Sequence, residues 1–255
     1  MKLACRLLVV GLLLAVAGCA SAAGTSAQPP KRELTVFAAS SLTEVFGALG
    51  DRFEAKHPGV TVKFSFESSA TLAEQIAQGA PADVFAAASP KTMATVTDAG
   101  LAPKRPPVFV RNRLQIAVPA GNPGKVHELK DLAKPGLKVA LCAEQVPCGA
   151  AAVTALAAGG VKVTPDTYEK DVKAVMSKLT LGEVDAALVY HTDVVAAAGD
   201  KVEGIEFPEA RKAINDYPIA VLRDAPQRSL ARQFVEYVRS STGRTALARA
   251  GFELP

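Results

Sequence analysis

The segment Glu33-Leu-Thr-Val-Phe-Ala-Ala39-Ser40-Ser41-Leu-Thr-Glu44 changes its period in the middle. Residues 33–39 are short, apolar and β-forming, which predicts a strand. From Leu42 the apolar positions Val45, Phe46, Leu49 and Phe53 recur every three or four residues, which predicts a helix. Ser41 and Glu44 have the spacing of a capping box at its start. That helix should stop before His57-Pro58-Gly59, and alternating Val and Phe over 60–66 predict a second strand. Ser68-Ser69-Ala70-Thr71 then opens a helix ending near Gly79, and 83–87 reads as a buried strand. Ser89-Pro90 supplies an N-cap with Pro at the first helical position. Strand and helix thus alternate three times, the pattern of an α/β protein with a parallel sheet.

The prolines of 103–107 break this rhythm, and a new strand is expected over 113–118. Strands follow over 137–141, 186–190, 205–207 and 218–222. Helices are expected over about 148–158 and 171–181, with two more, over 229–239 and 242–250, closing the chain. The pattern implies two α/β lobes, 33–112 with 215–255 and 113–214. The chain would cross near Asn112 and return near Asn215, with the last helices on the first lobe.

Lys2 and Arg6 precede an apolar run over 7–17. It is shorter than the roughly 20 residues a membrane span needs and fits the core of a secretory signal. Val16-Ala17-Gly18-Cys19 closes it in the manner of a bacterial lipobox. The expectation is a signal peptide over 1–18, a lipidated Cys19 and a tether over 19–32 rich in Ala, Ser, Gly and Pro. An ordinary cleaved signal that happens to contain a Cys is the other reading. Either way the chain is exported, and the first holds it on the extracytoplasmic face of the membrane.

Removing Lys2 and Arg6 from 29 basic residues leaves 27 against 25 acidic ones. So small an excess, with no Trp, argues against nucleic acid as a partner. Of four cysteines, Cys142 and Cys148 remain beyond the leader and Cys19. Outside the cytoplasm they can form a disulfide or stay as two small buried thiols. Their spacing is not that of a zinc site, and no cationic metal or cofactor is expected.

Ser40-Ser41 and Ser68-Ser69 both stand at strand-to-helix turns. Ligands of open α/β sheets bind outside the carboxyl ends of strands. Helix N-termini there offer unpaired N–H groups and a positive dipole end, which suits an anion. Taken singly, each Ser is explained as a helix cap, but two on one lobe suggest a site.

Here the sequence resembles a known family. The segments 36–43, 68–72, Gln78-Gly79-Ala80-Pro81-Ala82-Asp83-Val84-Phe85 and Val189-Tyr190 look like the successive signatures of periplasmic molybdate-binding proteins. The resemblance runs from about Glu33 to Gly251-Phe252 and implies a two-lobed, type II-like periplasmic-binding-protein fold with the ligand between lobes. It implies a ligand, molybdate or tungstate, and a partner, the permease of an ABC importer served by a monomeric binding protein. Carried over by residue, it implies hydroxyl and backbone donors at Ser41 and Ser69, backbone N–H groups at Cys148 and Val172, and the phenol of Tyr190. Glu67, just before the second serine pair, is expected to face water or the helix N-terminus. Other functions compatible with such a fold are capture of sulfate or phosphate, or sensing for a membrane receptor. A serine hydrolase is disfavoured: no Gly-x-Ser-x-Gly elbow surrounds Ser41 or Ser69, and of His57, His127 and His191 only the last is near the cleft.

Overall fold

The computed structural model describes residues 32–255 except 198 and 200, so the leader, Cys19 and nearly all of the tether lie outside the described residues. The first half comprises β1 (Arg32–Ala39), α1 (Thr43–Lys56), β2 (Val60–Glu67), α2 (Ser69–Ala77), β3 (Val84–Ala86), α3 (Pro90–Asp98) and β4 (Val108–Asn112). Then come β5 (Leu114–Pro119), β6 (Val139–Cys142), α4 (Pro147–Ala158), β7 (Thr167–Glu169), α5 (Val172–Thr180), β8 (Ala186–Tyr190), α6 (His191–Ala196) and β9 (Val202–Ile205). The chain ends with β10 (Asn215–Val221), α7 (Arg228–Arg239) and α8 (Ser241–Arg249).

Two five-stranded sheets result, in the orders β2-β1-β3-β10-β4 and β7-β6-β8-β5-β9. Both have one layout. Three strands are parallel, the fourth runs against them, and the fifth pairs antiparallel with the fourth. The first sheet is therefore mixed, where the sequence pattern implied a purely parallel one. Each sheet defines a lobe. The chain passes between them from β4 into β5 through Arg113 and returns into β10, where Asn215 pairs across the ladder with Asn112.

The core of lobe 1 is aromatic. Phe46 lies 5.9 Å from Phe109 and 6.1 Å from Phe234, ring centre to ring centre, so α1 and α7 are pinned to the sheet by one cluster. Such pairs add to the area they bury. The core of lobe 2 is built from Ala, Val and Leu, among them Ala117, Ala140, Ala155, Ala186 and Ala187. Small side chains bring α4 and α5 close to the second sheet. In lobe 1 the buried carboxylate of Asp83 accepts from Thr35 N at 2.9 Å and from Gln227 N at 2.6 Å, tying β1 to the segment before α7.

Several elements differ from the sequence expectation. The strand β4 was hidden by the prolines before it. The strand expected over 205–207 is β9, at Val202–Ile205, and Phe207 beyond it is buried in the core of lobe 2. At three and six residues, β7 and α6 are too short to show a period. No capping box forms either: a 3-10 turn over Ser40–Leu42 precedes α1, and the N-cap makes no side-chain hydrogen bond. Ser41 and Glu44 turn their side chains to other partners instead.

Candidate functional site

The parallel strands of both sheets point their carboxyl ends into the cleft between the lobes. Ser41 follows β1, Ser69 is the first residue of α2 after β2, and Cys148 is the second residue of α4 after β6. Val172 is the first residue of α5 after β7, and Tyr190 ends β8. All five line one small cavity, together with Ser40, Ser68, Ala88, Val146 and Asp171. All five are also buried, at 4% exposure or less.

The helix starts supply donors by geometry, because N–H groups of a first turn have no partner inside the helix. Among the described residues, the N–H groups of Ser69, Cys148 and Val172 meet no other acceptor. The caps satisfy different atoms: Ser68 Oγ accepts from Ala70 N at 3.2 Å, and Asp171 Oδ1 from Ala174 N at 2.9 Å. That engagement matters for Asp171, the one acid among the described residues of the cavity wall. Its other oxygen turns toward Lys170, 4.0 Å away. Glu67 is half-buried and does not line the cavity.

A disulfide joins Cys142 to Cys148, with Cα atoms 5.7 Å apart, and closes the loop that presents α4. In the chain-entropy account so short a loop is stabilised by about 2 kcal/mol. Pro147 occupies the first helical position, and Gly149 is required just after the bridge because a Cβ there would collide with the Ala143 carbonyl. The Cys148 N–H is thus held from both sides.

Behind the cavity lies a polar layer that sequence reasoning did not assign to the site. Ser41 Oγ is 2.9 Å from Tyr217 Oη, and Ser69 Oγ accepts from Ala88 N at 2.8 Å. Asn215 and Asn112, named from the sequence only as crossing points, reach Tyr190 and Tyr217 respectively. Asn112 sits between two arginines and Asn215 before an aspartate, so nothing local sets them apart from surface polar residues. Burial, and then the neighbouring Tyr217, pushes the Tyr190 phenol well above its ordinary value. Burial raises Tyr217 too. Both phenols stay neutral and keep their protons at physiological pH.

Charge enters one step away. Lys173, next to Val172, places Nζ 2.7 Å from Glu44 of lobe 1 and 2.9 Å from Asp193 of lobe 2. Burial works against its charge, but Asp193 and Glu44 together hold its pKa above the ordinary value. The fully buried Asp193 has its pKa raised by desolvation in spite of Lys173. Among the described residues, no Lys or Arg lines the cavity. His191 packs against Gly251, 4.0 Å from Glu206, and faces neither serine. Burial, and then Arg113, lowers its pKa.

A wider groove of about 700 Å³ opens beside the cavity between α1, α6 and α8, with the exposed Arg52 and Arg249 on its walls. It has the volume of a site for a drug-sized organic molecule. The residues of the smaller cavity are buried, where low dielectric strengthens each hydrogen bond.

The fold and the cleft define a class. The chain belongs to the bacterial extracellular solute-binding proteins, whose family model matches residues 34–253. It is 42% identical over 251 residues to "Molybdate-binding protein ModA" of Mycobacterium tuberculosis, covering 98% of this chain and 95% of the relative. It is 32% identical over 247 residues to the "Putative ABC transporter substrate-binding lipoprotein YvgL" of Bacillus subtilis, covering 94% and 93%. The periplasmic molybdate-binding protein of Azotobacter vinelandii superposes with a TM-score of 0.76 at 22% identity, over 87% of this chain and 99% of that one. At that identity the match speaks for the fold.

Proposed function

We propose that this protein captures a fully deprotonated tetrahedral oxyanion, molybdate or tungstate, outside the cytoplasm. It would deliver the anion to the permease of an ABC importer, acting as a monomer anchored through lipidated Cys19. One observation carries the reading: strand ends and helix starts from both lobes converge on one small cavity whose wall carries neutral donors and a single acid, Asp171. The identity to a molybdate-binding relative supports the choice of ligand.

Ser41, Ser69 and Tyr190 offer hydroxyls, and Cys148 and Val172 offer backbone N–H groups. Molybdate at neutral pH carries no proton, so each of its oxygens can only accept. Phosphate retains a proton in part and is best held by a site with an acceptor; Asp171, the one acid of the wall, spends Oδ1 on Ala174 N and turns Oδ2 toward Lys170. Neutral dipoles avoid the several kcal/mol that burying a Lys or Arg beside the anion would cost. The arrangement binds and encloses; among the described residues no histidine faces either serine, so hydrolysis has no base. Sulfate matches molybdate in charge and shape, and cavity size must separate them.

A thermal-shift panel on protein dialysed free of ligand tests the reading. A ligand at about 100 times its Kd adds roughly 2.7 kcal/mol to the unfolding free energy. At about 2 to 4 °C per kcal/mol for a chain of this size, molybdate and tungstate should raise Tm by roughly 5 to 10 °C. Sulfate and phosphate should move it little. A largest shift with phosphate or sulfate would overturn the ligand assignment, and no shift with any of the four would overturn the oxyanion site.

A further inference from the structure

Asn112 and Asn215 are cross-strand partners at the junction of the lobes, and both side chains are buried at 8% exposure or less. Their amide orientations are fixed by chemistry. Asn215 places one end of its amide 2.7 Å from the Ala88 carbonyl, which can only accept, so that end is the NH₂. Asn112 places its other end 3.0 Å from Arg113 N, which can only donate, so that end is the oxygen and the NH₂ faces inward. Each NH₂ then has two protons and two partners, one on each lobe. Asn215 donates to Ala88 O of lobe 1 and to Tyr190 Oη of lobe 2 at 3.1 Å. Asn112 donates to Thr192 Oγ1 of lobe 2 at 2.8 Å and toward Tyr217 Oη of lobe 1 at 3.5 Å.

We infer that Asn112 and Asn215 are positioning residues that force the site hydroxyls to act as donors and so select a fully deprotonated anion. The inference rests on the oxyanion reading above. A phenol has one proton. Because Tyr190 Oη accepts from Asn215, its proton is free to turn to the cavity that Tyr190 lines, with the neighbouring Tyr217 Oη as the competing acceptor. Because Tyr217 Oη faces the Asn112 NH₂, its proton goes to Ser41 Oγ, and the Ser41 proton is left for the cavity. Ser69 is set in the same sense by the Ala88 N–H, and the carbonyl of that same Ala88 is held by Asn215. Two hydroxyls, one on each lobe, are thereby turned the same way by two amides at the hinge, and the Ala88 N–H turns a third. Neither asparagine touches the cavity.

Replacing an amide by a carboxylate reverses one relay while nearly conserving shape. In Asn215→Asp the ionised carboxylate can only accept, so it takes the Tyr190 proton away from the ligand. The other charged groups near the phenols are Asp193 on α6, Lys173 on α5 and Glu44 on α1. Burial, with the charge of Asp193 acting on both phenols, keeps the pKa of the new acid high. As pH falls the carboxyl gains a proton, donates again, and returns the Tyr190 proton to the cavity.

Calorimetry with micromolar molybdate from pH 8 to pH 5 is the test. Asn215→Asp should bind about ten- to a hundredfold more weakly than wild type at pH 8 and regain most of that loss by pH 5, while wild type changes little. In the Tyr190→Phe background, Asn215→Asp should lose this pH dependence, because no proton remains to redirect. A loss that is equal at every pH, or a slope that persists once the phenol is gone, would overturn the inference. Should Asn215→Asp fail to melt cooperatively, Asn112→Asp with Ser41→Ala as its background replaces it under the same criteria. Asn112→Asp keeps the acceptor for Arg113 N and so disturbs the fold least. Wild type that binds no molybdate would defeat the oxyanion reading itself; wild type that binds, with variants lacking the slope, defeats only the role of the asparagines.

Discussion

The two lobes share one sheet layout but supply their donors differently. Lobe 1 offers side-chain hydroxyls at the ends of β1 and β2, on a scaffold locked by packed phenylalanines. Lobe 2 offers the backbone N–H groups of Cys148 and Val172, whose side chains are spent elsewhere, one in a disulfide and one in the core. Tyr190 adds a side-chain donor from that lobe. A hydroxyl tolerates a rotation about its own bond, whereas an N–H points where its helix points. Lobe 2 therefore needs its helix starts held rigidly, and the bridge at α4 and the Asp171 cap at α5 do this. Lobe 1 can leave the aim of its donors to the second layer of Tyr217 and Ala88.

The largest effect should come where the lobes meet. Lys173→Met leaves Asp193 buried without its cation, at a cost of about 3 kcal/mol in stability, the low end for a broken buried pair. Glu44→Gln removes only the half-exposed partner from lobe 1 and should cost under about 1 kcal/mol. The Asp193 carboxyl already titrates above its ordinary value because of burial, so its folded form favours the proton. Its unfavourable contribution is absent below the unfolded value and grows as pH rises through the folded one. Chemical denaturation of Lys173→Met from pH 8 down to pH 5 should therefore show the deficit shrinking. Equal losses in the two variants would mean that the link to lobe 1, not the buried acid, sets the cost.

Next in size is the contrast between donor types. Val172→Pro deletes an N–H at the first helical position, where Pro is well tolerated and Asp171 before it is already extended at φ −159° and ψ 171°. The fold should stand, and molybdate affinity should fall toward a hundredfold, while Val172→Ala binds as wild type. Ser41→Ala keeps its backbone N–H and should lose nearer tenfold. Ser69→Ala should lose a similar factor and some stability as well, since the Ala88 N–H is left without its acceptor. Calorimetry in which Val172→Ala weakens binding as much as Val172→Pro would remove the backbone donor from the account.

The same contrast explains what was legible in the sequence. The pairs Ser40-Ser41 and Ser68-Ser69 were visible at two strand-to-helix turns, because residue type and turn position both bear on the chemistry, while resemblance to a family singled out Ser41 and Ser69. Nothing in a Val or a Cys announces an N–H donor, so Val172 and Cys148 were reachable only through resemblance to a family. The capping-box pattern misled in an instructive way: Ser41 and Glu44 have the right spacing, but Tyr217 and Lys173 outcompete the backbone for them. Both competitors lie more than a hundred residues away, and local pattern holds no information about them. The alternation of strand and helix was plain over β1, α1, β2 and α2, which are eight residues or longer. It faded at β4, β7 and α6, which are short or masked by prolines.

The central claim is that one anion is held between the lobes by neutral donors from both. Crystals grown with molybdate and measured at the molybdenum absorption edge test it most directly. One strong anomalous peak per chain is predicted, with the anion's oxygens within hydrogen-bond reach of Ser41, Ser69, Cys148 N, Val172 N and Tyr190. A peak seated instead in the groove beside Arg52 and Arg249, or no ordered peak at saturating molybdate, would contradict it.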